Sequence, residues 1–487
     1  MDSIAPADEK MSSNRIARVF GIHEPTENAA RLVKILAVLF PSFAISFQIS
    51  TTFYTIFIAE TLGGGDYITG LTYVGILVVI SLLTQTLLDY PTGAIGDWIG
   101  QRYIIASALL CYSIAFWITS QVTPATPFST FVTIYALMGI GSAQESGAFQ
   151  AWFDNNWKVS MPHDDDRKQY GVFWGRIGMV WQVSSTLVLI PGSWLALVYN
   201  RQWVFQLQAM FSLILAIAAL QLVKDLPGVR EESDKRPSIR EYGGLLKDGV
   251  RFLGSSRFVT FIVLGEVVMW STGPVWWNLI LFPLYFTYLL SDVAVSSFRT
   301  LVFLPEAISQ ERSGVWSKRF DAKTWVPRFR FLQFGGFIFY VVLAIITSTF
   351  PSTPLDSPVI PGLDFPIEGL TPTTLIFIVF VISSAFGGFA QILTQRVMID
   401  VIPSKIRNSM YSLQPTLIML ASAPLIALFG WLIPQYGFPL TFTICSLVTF
   451  TGALLVRKAF TYPIPKADEV IIASQEEASE LQELEVT

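Results

Sequence analysis

Hydrophobic residues in this chain gather into long, nearly uninterrupted runs. A helix needs about 20 mostly apolar residues to cross the hydrocarbon layer of a bilayer, which is about 30 Å thick. Twelve stretches meet that requirement. They lie near residues 32–59, 67–90, 103–121, 128–155, 169–198, 203–223, 258–289, 293–312, 328–350, 371–397, 404–433 and 438–457. The pattern predicts an all-α membrane protein with twelve transmembrane helices.

The composition agrees with membrane insertion and excludes several functions. Of 487 residues, 52% are hydrophobic and 14% are charged, whereas globular chains have about 25% charged residues. The net charge of −4 reflects an acidic carboxyl-terminal segment and implies no nucleic-acid partner. Both cysteines, Cys111 and Cys445, lie in apolar runs, and both histidines lie outside them. With no nucleotide-binding or hydrolase motif, we expect no cofactor, no metal and no enzymatic activity.

Lysine and arginine residues predict the orientation, because they stay on the cytoplasmic side of short loops. If the amino terminus is inside, the outer loops contain one basic residue, Arg201, out of 32. We therefore expect a multi-pass protein of the plasma membrane with both termini in the cytoplasm.

The longest predicted inner segment separates two groups of six spans. The expected organisation is a cytoplasmic segment at 1–31, a six-helix bundle at 32–223, a linker with an amphipathic surface helix at 224–257, a six-helix bundle at 258–460 and an acidic cytoplasmic tail at 461–487. The proline-rich outer loop at 351–370 is either an ordered cap or a flexible tether.

A glycine-rich motif follows the second predicted span. It reads DYPTGAIGDWIGQR, from Asp89 to Arg102. Its glycines, among them Gly93 and Gly100, allow two helices and a tight turn to approach closely. Asp97 places a carboxylate at the membrane surface, where it needs a positive partner such as a helix amino terminus. The motif therefore indicates a tightly packed turn with a partnered carboxylate beside the inner ends of the spans.

The spacing of Gly93, Asp97, Gly100 and Arg102 resembles the loop signature of the major facilitator superfamily, G-x-x-x-D-x-x-G-x-[RK]. The preceding DYPTG resembles the acid-x-PTG of its drug-exporter-like branch. With twelve spans and a central inner loop, the chain is similar to this family over nearly its whole length. The resemblance implies two six-helix bundles and an Asp97 that locks the two halves on the cytoplasmic side, near the start of the eleventh helix. The alternative for Asp97 is a static stabiliser of the loop.

Two features of the family are missing. Tyr135 stands where the fourth span often carries an arginine. The fifth span lacks the G-P-x-x-G-G run that resembles a mark of proton-coupled drug antiporters. The resemblance therefore gives no support to proton antiport.

Ionisable side chains inside a bilayer cost at least about 2.5 to 3.5 kcal/mol each, so each needs a partner or a water-filled cavity. Glu145 in the fourth span and Arg176 in the fifth lie at matching depths, which predicts a structural ion pair. A gating or proton-linked role is the alternative. Asp89, at the inner end of the second span, is a further candidate partner for Arg176.

Three more charges lie within the second half. Glu266 is in the seventh span, and Arg299 and Glu306 share one face of the eighth. Such a polar stripe on a weakly hydrophobic helix indicates that the eighth span faces a cavity. In the alternative, Arg299 extends to the outer headgroups. Glu266 and Arg299 differ in depth, so we do not predict a pair between them.

Polar and aromatic residues of the first and seventh spans complete the candidate cavity. Gly273-Pro274 should bend the seventh span, and three tryptophans surround that bend. Aromatic pockets suit amphipathic ligands and sugars alike, although most membrane tryptophans anchor at interfaces or pack. The candidate substrate cavity consists of Gln48, Thr52, Trp270, Trp277, Asn278 and Arg299.

Together these features predict a secondary active transporter that moves a small molecule by alternating access. The resemblance favours an exporter of amphipathic compounds. Two alternatives stay open: a facilitated carrier or uptake transporter for a sugar or organic anion, and a non-transporting scaffold or receptor. The expected partners are a small-molecule substrate, the lipid bilayer and, where transport is coupled, a proton or another ion.

Overall fold

Helices dominate this chain because backbone groups inside a bilayer must be paired within the protein. The structure is a computed structural model that describes residues 15–164, 167–227, 229, 247, 249–360, 365–403 and 407–467. In that part of the chain, nine helical stretches are long and apolar enough to cross a membrane. The first of them, Glu27–Leu62, begins five residues before the predicted span.

The nine stretches account for all but two of the predicted spans. The last of them, Leu413–Ala459, contains both the eleventh and the twelfth span, which meet at a kink where Gly437 has a φ of 75°. The fourth span, which a break shortens, and the polar eighth span are also helical but are not among the nine. The all-α membrane fold with twelve spans is thus confirmed.

The first six spans follow the short helix Arg15–Val19. Their helices are Glu27–Gln48 with Thr51–Leu62, Tyr67–Ile99, Gln101–Thr119, Phe128–Glu145 with Ala148–Ser160, Lys168–Leu187 with Leu189–Val198, and Arg201–Leu222.

The second six spans contain more breaks. Their helices are Arg257–Trp270, Thr272–Val275, the π-helix Trp276–Ile280 and Leu281–Leu289 in the seventh, Asp292–Trp316 in the eighth, Ala322–Leu332 and Phe337–Thr349 in the ninth, Ile367–Val401 in the tenth, and Arg407–Ala459 in the eleventh and twelfth. A 3-10 turn, Ser317–Arg319, follows the eighth span.

Two predicted boundaries are wrong. The motif after the second span is not a loop: the helix that begins at Tyr67 continues to Ile99, and the chain leaves helical geometry only at Gly100. The fourth span is not continuous, because the helix ends at Glu145 and resumes after Gly147, whose φ of 76° suits glycine.

The loop between the ninth and tenth spans is ordered in its described part. Val359–Ile360 pairs antiparallel with Phe365–Pro366. The hydroxyl of Thr353 donates to the carbonyl of Tyr288 at 2.8 Å, which fastens the loop to the end of the seventh span. Of the predicted surface helix in the linker, residues 249–253 are helical. The tail beyond residue 467 lies outside the described residues.

The chain divides into two compact units. Unit 1 comprises Met1–Tyr54 and Ile80–Arg236, and unit 2 comprises Thr55–Val79 and Pro237–Thr487. In unit 1, the third span packs against the fourth and sixth, and the first helix of the first span packs against the fifth. In unit 2, the seventh span packs against the twelfth, and the tenth packs against the eighth and ninth. The bounds of two six-helix bundles, 32–223 and 258–460, stay a prediction.

Candidate substrate site

The ninth span is interrupted at residues 333–336, deep within unit 2. Its first helix ends at Leu332, and its second begins at Phe337. Gly335 has a φ of +65°, a conformation that side chains with a Cβ rarely adopt. The amide of Phe334 donates to the carbonyl of Ser383 on the tenth span at 2.8 Å, so the interrupted backbone is paired across spans. Irregular backbone at membrane depth is tolerated where it is buried in protein or lines a cavity.

The seventh span widens into a π-helix at Trp276–Ile280, just after Pro274. The side-chain amide of Asn278 donates to the carbonyl of Pro274 at 2.8 Å, a backbone acceptor beside the wide turn. Trp276 is fully buried, whereas Trp277 is 43% exposed. Wide turns of this kind are frequent at functional sites. The π-helix therefore leaves Trp277, but not Trp276, accessible at the protein surface.

Four side chains from four spans meet beside these two irregular segments. The ring of Phe334 lies 4.8 Å from that of Phe380 and 5.8 Å from that of Trp277, measured between centroids. The half-buried guanidinium of Arg299 lies 5.6 Å from the centre of the Trp277 ring and 5.8 Å from that of Phe380. A cation at this distance from a ring is attracted by about 0.5 to 2 kcal/mol. We call Trp277, Arg299, Phe334 and Phe380 the aromatic site.

Of the six residues predicted for the cavity, the structure brings Trp277 and Arg299 together and leaves Asn278 exposed beside them. Trp270 faces elsewhere, donating from its indole nitrogen to Glu266 at 3.1 Å. Sequence reasoning missed Phe334 and Phe380. Single phenylalanines in apolar runs carry no signal of their own; the glycine pair that follows Phe334 is the one local sign of a break.

The two cavity residues predicted from the first span lie in unit 1. Thr52 is fully buried and shares a hydrogen bond of 2.9 Å with Ser193, so it does not line an open cavity in this structure. Gln48 is half-buried and ends the first helix of its span.

Gln208, which the sequence did not single out, holds the break that follows Gln48. It donates to the carbonyls of Ser46 and Phe47 at 2.7 and 3.1 Å, and it accepts from Ser50 at 2.7 Å. The backbone carbonyls and one hydroxyl at the break are thus paired by one side chain from the sixth span.

The ion pair predicted between Glu145 and Arg176 is not formed, although both side chains are described. Arg176 donates to the backbone carbonyls of Arg18 and Val19 in the amino-terminal segment. Glu145 is half-buried at the last residue before the break in the fourth span. Asp89 is exposed at its position on the second span. The predicted pair does not form because the amino-terminal segment, which lies outside the spans, supplies the acceptors for Arg176.

A different ion pair is buried in unit 2. Arg330, fully buried, contacts the carboxylate of Glu266 at 2.8 Å. Arg330 also donates to Gln333 at 2.7 Å and to Thr394 on the tenth span at 2.8 Å. Arg330 lies only two residues inside the predicted ninth span, where a basic residue looks like an ordinary interfacial one, so depth alone did not reveal this pair.

The structure describes only part of the motif from Asp89 to Arg102 and of the eighth span. The backbones of Asp97 and Glu306 are helical, but the side chains of both lie outside the described residues. Gly100, with a φ of +105°, precedes the first residue of the third span. Arg102 is half-buried, and its guanidinium lies 4.4 Å from the centre of the Tyr103 ring. Gly93 lies in the helix, where an added Cβ would meet none of the described residues within 4 Å.

At the predicted outer end of unit 2, the second span is tied to the seventh and the eleventh. The hydroxyls of Tyr67 and Thr287 share a hydrogen bond of 2.8 Å. Farther along the second span, a Cβ added to Gly75 would lie only 3.0 Å from the Cα of Gly430. Two helix backbones therefore touch at this point, as small residues permit in membranes.

Helical spans with internal breaks, a charged aromatic site and a glycine-rich motif after the second span are features of multi-pass membrane transporters. The sequence matches the family profile described as Major Facilitator Superfamily over residues 36–361, more than half of its length. The chain belongs to this superfamily. No curated protein sequence matches the chain.

Solved structures share the fold at low identity. A D-xylose-proton symporter superposes with a TM-score of 0.64 at 12% identity, covering 89% of this chain and 98% of its own. The nucleoside transporter NupG gives a TM-score of 0.64 at 11% identity, covering 89% and 100%. The inward-open xylose transporter XylE from E. coli gives 0.57 at 12%, covering 91% and 99%. At these identities the likeness shows the fold alone.

Proposed function

We propose that this protein moves a small amphipathic organic solute across the plasma membrane and binds it at the aromatic site. One observation carries the proposal: the guanidinium of Arg299 lies against the rings of Trp277 and Phe380, beside the interruptions of the seventh and ninth spans. The rings offer an apolar face and the guanidinium offers charged hydrogen-bond donors. A solute with one flat or apolar face and one anionic or hydroxyl-bearing end matches both.

Alternating access is the mechanism that the fold supports. The contacts of Tyr67 with Thr287 and of Gly75 with Gly430 close the predicted outer end of unit 2. We infer that these contacts separate when the site opens outward, and that Asp97 then locks the cytoplasmic side. The resemblance of the DYPTG stretch to drug exporters favours export. We infer that both termini lie in the cytoplasm.

A second candidate is a carrier or uptake system for a sugar or an organic anion. The position of Arg299 favours it, because guanidinium pairs well with carboxylate. The proteins that share this fold include a D-xylose-proton symporter and a nucleoside transporter. The two candidates differ in the polar end of the solute and in direction, so one flux experiment separates them.

The test uses purified full-length protein in liposomes. Flux is measured for a panel of amphipathic dyes, aromatic carboxylates and monosaccharides, in both directions, with and without a proton gradient. For a transported solute, Arg299→Ala should raise KM at least about tenfold, since a hydrogen bond from a charged group to the solute contributes about 1.5 to 3 kcal/mol.

Arg328→Ala is the matched control. Its guanidinium lies 5.1 Å from the centre of the Trp325 ring, but on an exposed surface outside the aromatic site. Flux with equal KM in both variants would refute the assignment of the site. Absence of flux and of binding for every solute would favour a non-transporting scaffold or receptor.

A further inference from the structure

The buried ion pair of unit 2 lies at the break in the ninth span. Glu266 comes from the seventh span, Arg330 from the end of the first helix of the ninth, and Thr394 from the tenth. The guanidinium of Arg330 thus joins three spans, because it contacts the carboxylate of Glu266 and the hydroxyl of Thr394 at 2.8 Å each. The exposed fractions of the two charged side chains are 5% for Glu266 and 0% for Arg330.

The pair is incompletely satisfied. Among the residues that the structure describes, Oε1 of Glu266 and Nε of Arg330 have no hydrogen-bond partner, although both atoms are buried. A buried ion pair is weak support for stability, because removing two charges from water costs about as much as their attraction returns. A pair that is both buried and partly unsatisfied therefore calls for a role other than stability. The position of the pair beside the break in the ninth span suggests such a role.

Arg330 holds the first residue of the break. Its guanidinium donates to Oε1 of Gln333 at 2.7 Å, and the amide nitrogen of the Gln333 side chain lies 3.4 Å from the sulfur of Met269. Gln333 is fully buried, so these two contacts fix its side chain from both sides. The next residue along the chain is Phe334.

Phe334 belongs to the aromatic site. Its amide donates to Ser383, and its ring contacts Trp277 and Phe380. A displacement of Gln333 by about 1 Å would move this ring against both neighbours, because the two residues share a peptide plane. The peptide bond between Gln333 and Phe334 therefore connects the charged network to the aromatic site.

We propose that Glu266 and Arg330 are positioning residues: they fix Gln333 at the break in the ninth span and so set the position of Phe334 in the aromatic site. Where Phe334 contacts solute, the inference rests on the proposed function. The positioning itself requires no solute. Its first test therefore uses no solute either.

The test is amide hydrogen exchange of full-length protein in lipid nanodiscs, followed on peptides that cover residues 329–340. The diagnostic variant is the double substitution Glu266→Leu with Arg330→Met, which removes both charges and leaves neither buried alone. Glu266→Gln is the conservative single variant, because glutamine keeps the shape and the acceptor oxygen. Asp154→Asn is the matched control, since Asp154 is half-buried in unit 1 and forms ion pairs with Lys158 at 3.0 Å and with Arg167 at 2.8 Å.

In the double variant, the melting temperature should stay near that of the unaltered protein, while the amide of Phe334 exchanges at least about tenfold faster. Peptides from the sixth span should be unchanged, and Asp154→Asn should change neither region. Unaltered exchange at Phe334 in the double variant would overturn the proposal. So would a uniform acceleration over the whole chain, which would show a merely structural role.

A transported solute adds a second readout. The double variant should raise its KM more than it lowers kcat, because Phe334 is displaced while the moving spans are intact, whereas Glu266→Gln should change both constants less because it keeps the acceptor oxygen. Equal losses in both would overturn the link to the site. If no solute is transported, the proposed function fails, and the exchange result still decides the positioning.

Discussion

The contact between Gly75 and Gly430 yields a prediction about gating. Gly75→Ala would place a Cβ 3.0 Å from the Cα of Gly430 and 3.1 Å from the carbonyl oxygen of Ile426. Ordinary contacts of a Cβ are at least 3.4 Å long, so the second and eleventh spans must move apart by a few tenths of an ångström. Backbone atoms on both helices receive the added methyl, and no flexible side chain can yield instead. The substitution should therefore weaken closure of the predicted outer end.

The size of the effect follows from packing energetics. Adding a methyl group to a filled contact costs about 1 to 3 kcal/mol. Because about 1.4 kcal/mol is a factor of ten in an equilibrium constant, the population with this end open should rise between about 5-fold and 150-fold. Gly75→Leu should prevent closure, since a whole side chain has no place between the two backbones.

The assay measures how fast a cysteine at Leu71 reacts with a membrane-impermeant thiol reagent. Leu71 is fully buried, and its carbonyl lies 3.0 Å from a Cβ built at Gly430, so reaction requires the contact to open. The two native cysteines are first replaced. Gly178→Ala is the control, because a Cβ there meets nothing within 4 Å. Equal reaction rates in Gly75→Ala and the control would refute the reasoning.

Three further outcomes are expected. Gln208→Leu should cost about 1 to 3 kcal/mol because it removes the hydrogen bonds of Gln208 to two backbone carbonyls at the break, and a lower melting temperature measures this; an unchanged melting temperature would contradict it. Gly100→Ala should cost about 1 to 3 kcal/mol because of the φ of +105°, whereas Gly93→Ala should be tolerated in the same thermal assay, and equal losses would count against the strain argument. Asp97→Asn should reduce the rate of transport without reducing the amount of inserted protein, judged by flux and surface labelling; unaltered kinetics would exclude the lock.

Local pattern was enough to predict the spans. The hydrophobic runs correctly indicated an all-α membrane fold with twelve spans. The motif from Gly93 to Arg102 correctly indicated the Major Facilitator Superfamily, whose profile matches more than half of the chain. The hydrophobic runs and the motif can both be read from residues that are close in sequence. For the runs, this is because the length and polarity of a segment decide whether it inserts into a bilayer. Gly273-Pro274 also marked the part of the seventh span where the helix is irregular, since proline removes a backbone donor wherever it stands in a helix. The orientation and the drug-exporter branch stay predictions.

Partners between spans were not predictable in the same way. The sequence marked Arg176 and Glu266 as charges that need partners, but the structure gave Arg176 the backbone carbonyls of Arg18 and Val19, and gave Glu266 the guanidinium of Arg330. The depth of a residue along a helix does not tell in which direction around the helix axis its side chain points. Several spans also have possible partner atoms at each depth.

The aromatic site shows the same division between local and tertiary information. Trp277 and Arg299 stood out in the sequence as residue types, whereas Phe334 entered the site because the ninth span breaks one residue before it. What the sequence determined by itself is which segments cross the bilayer, since transfer of each segment from water to lipid depends on its own composition. Which side chains meet was decided only by tertiary packing, because contact depends on the rotation and the breaks of several helices at once.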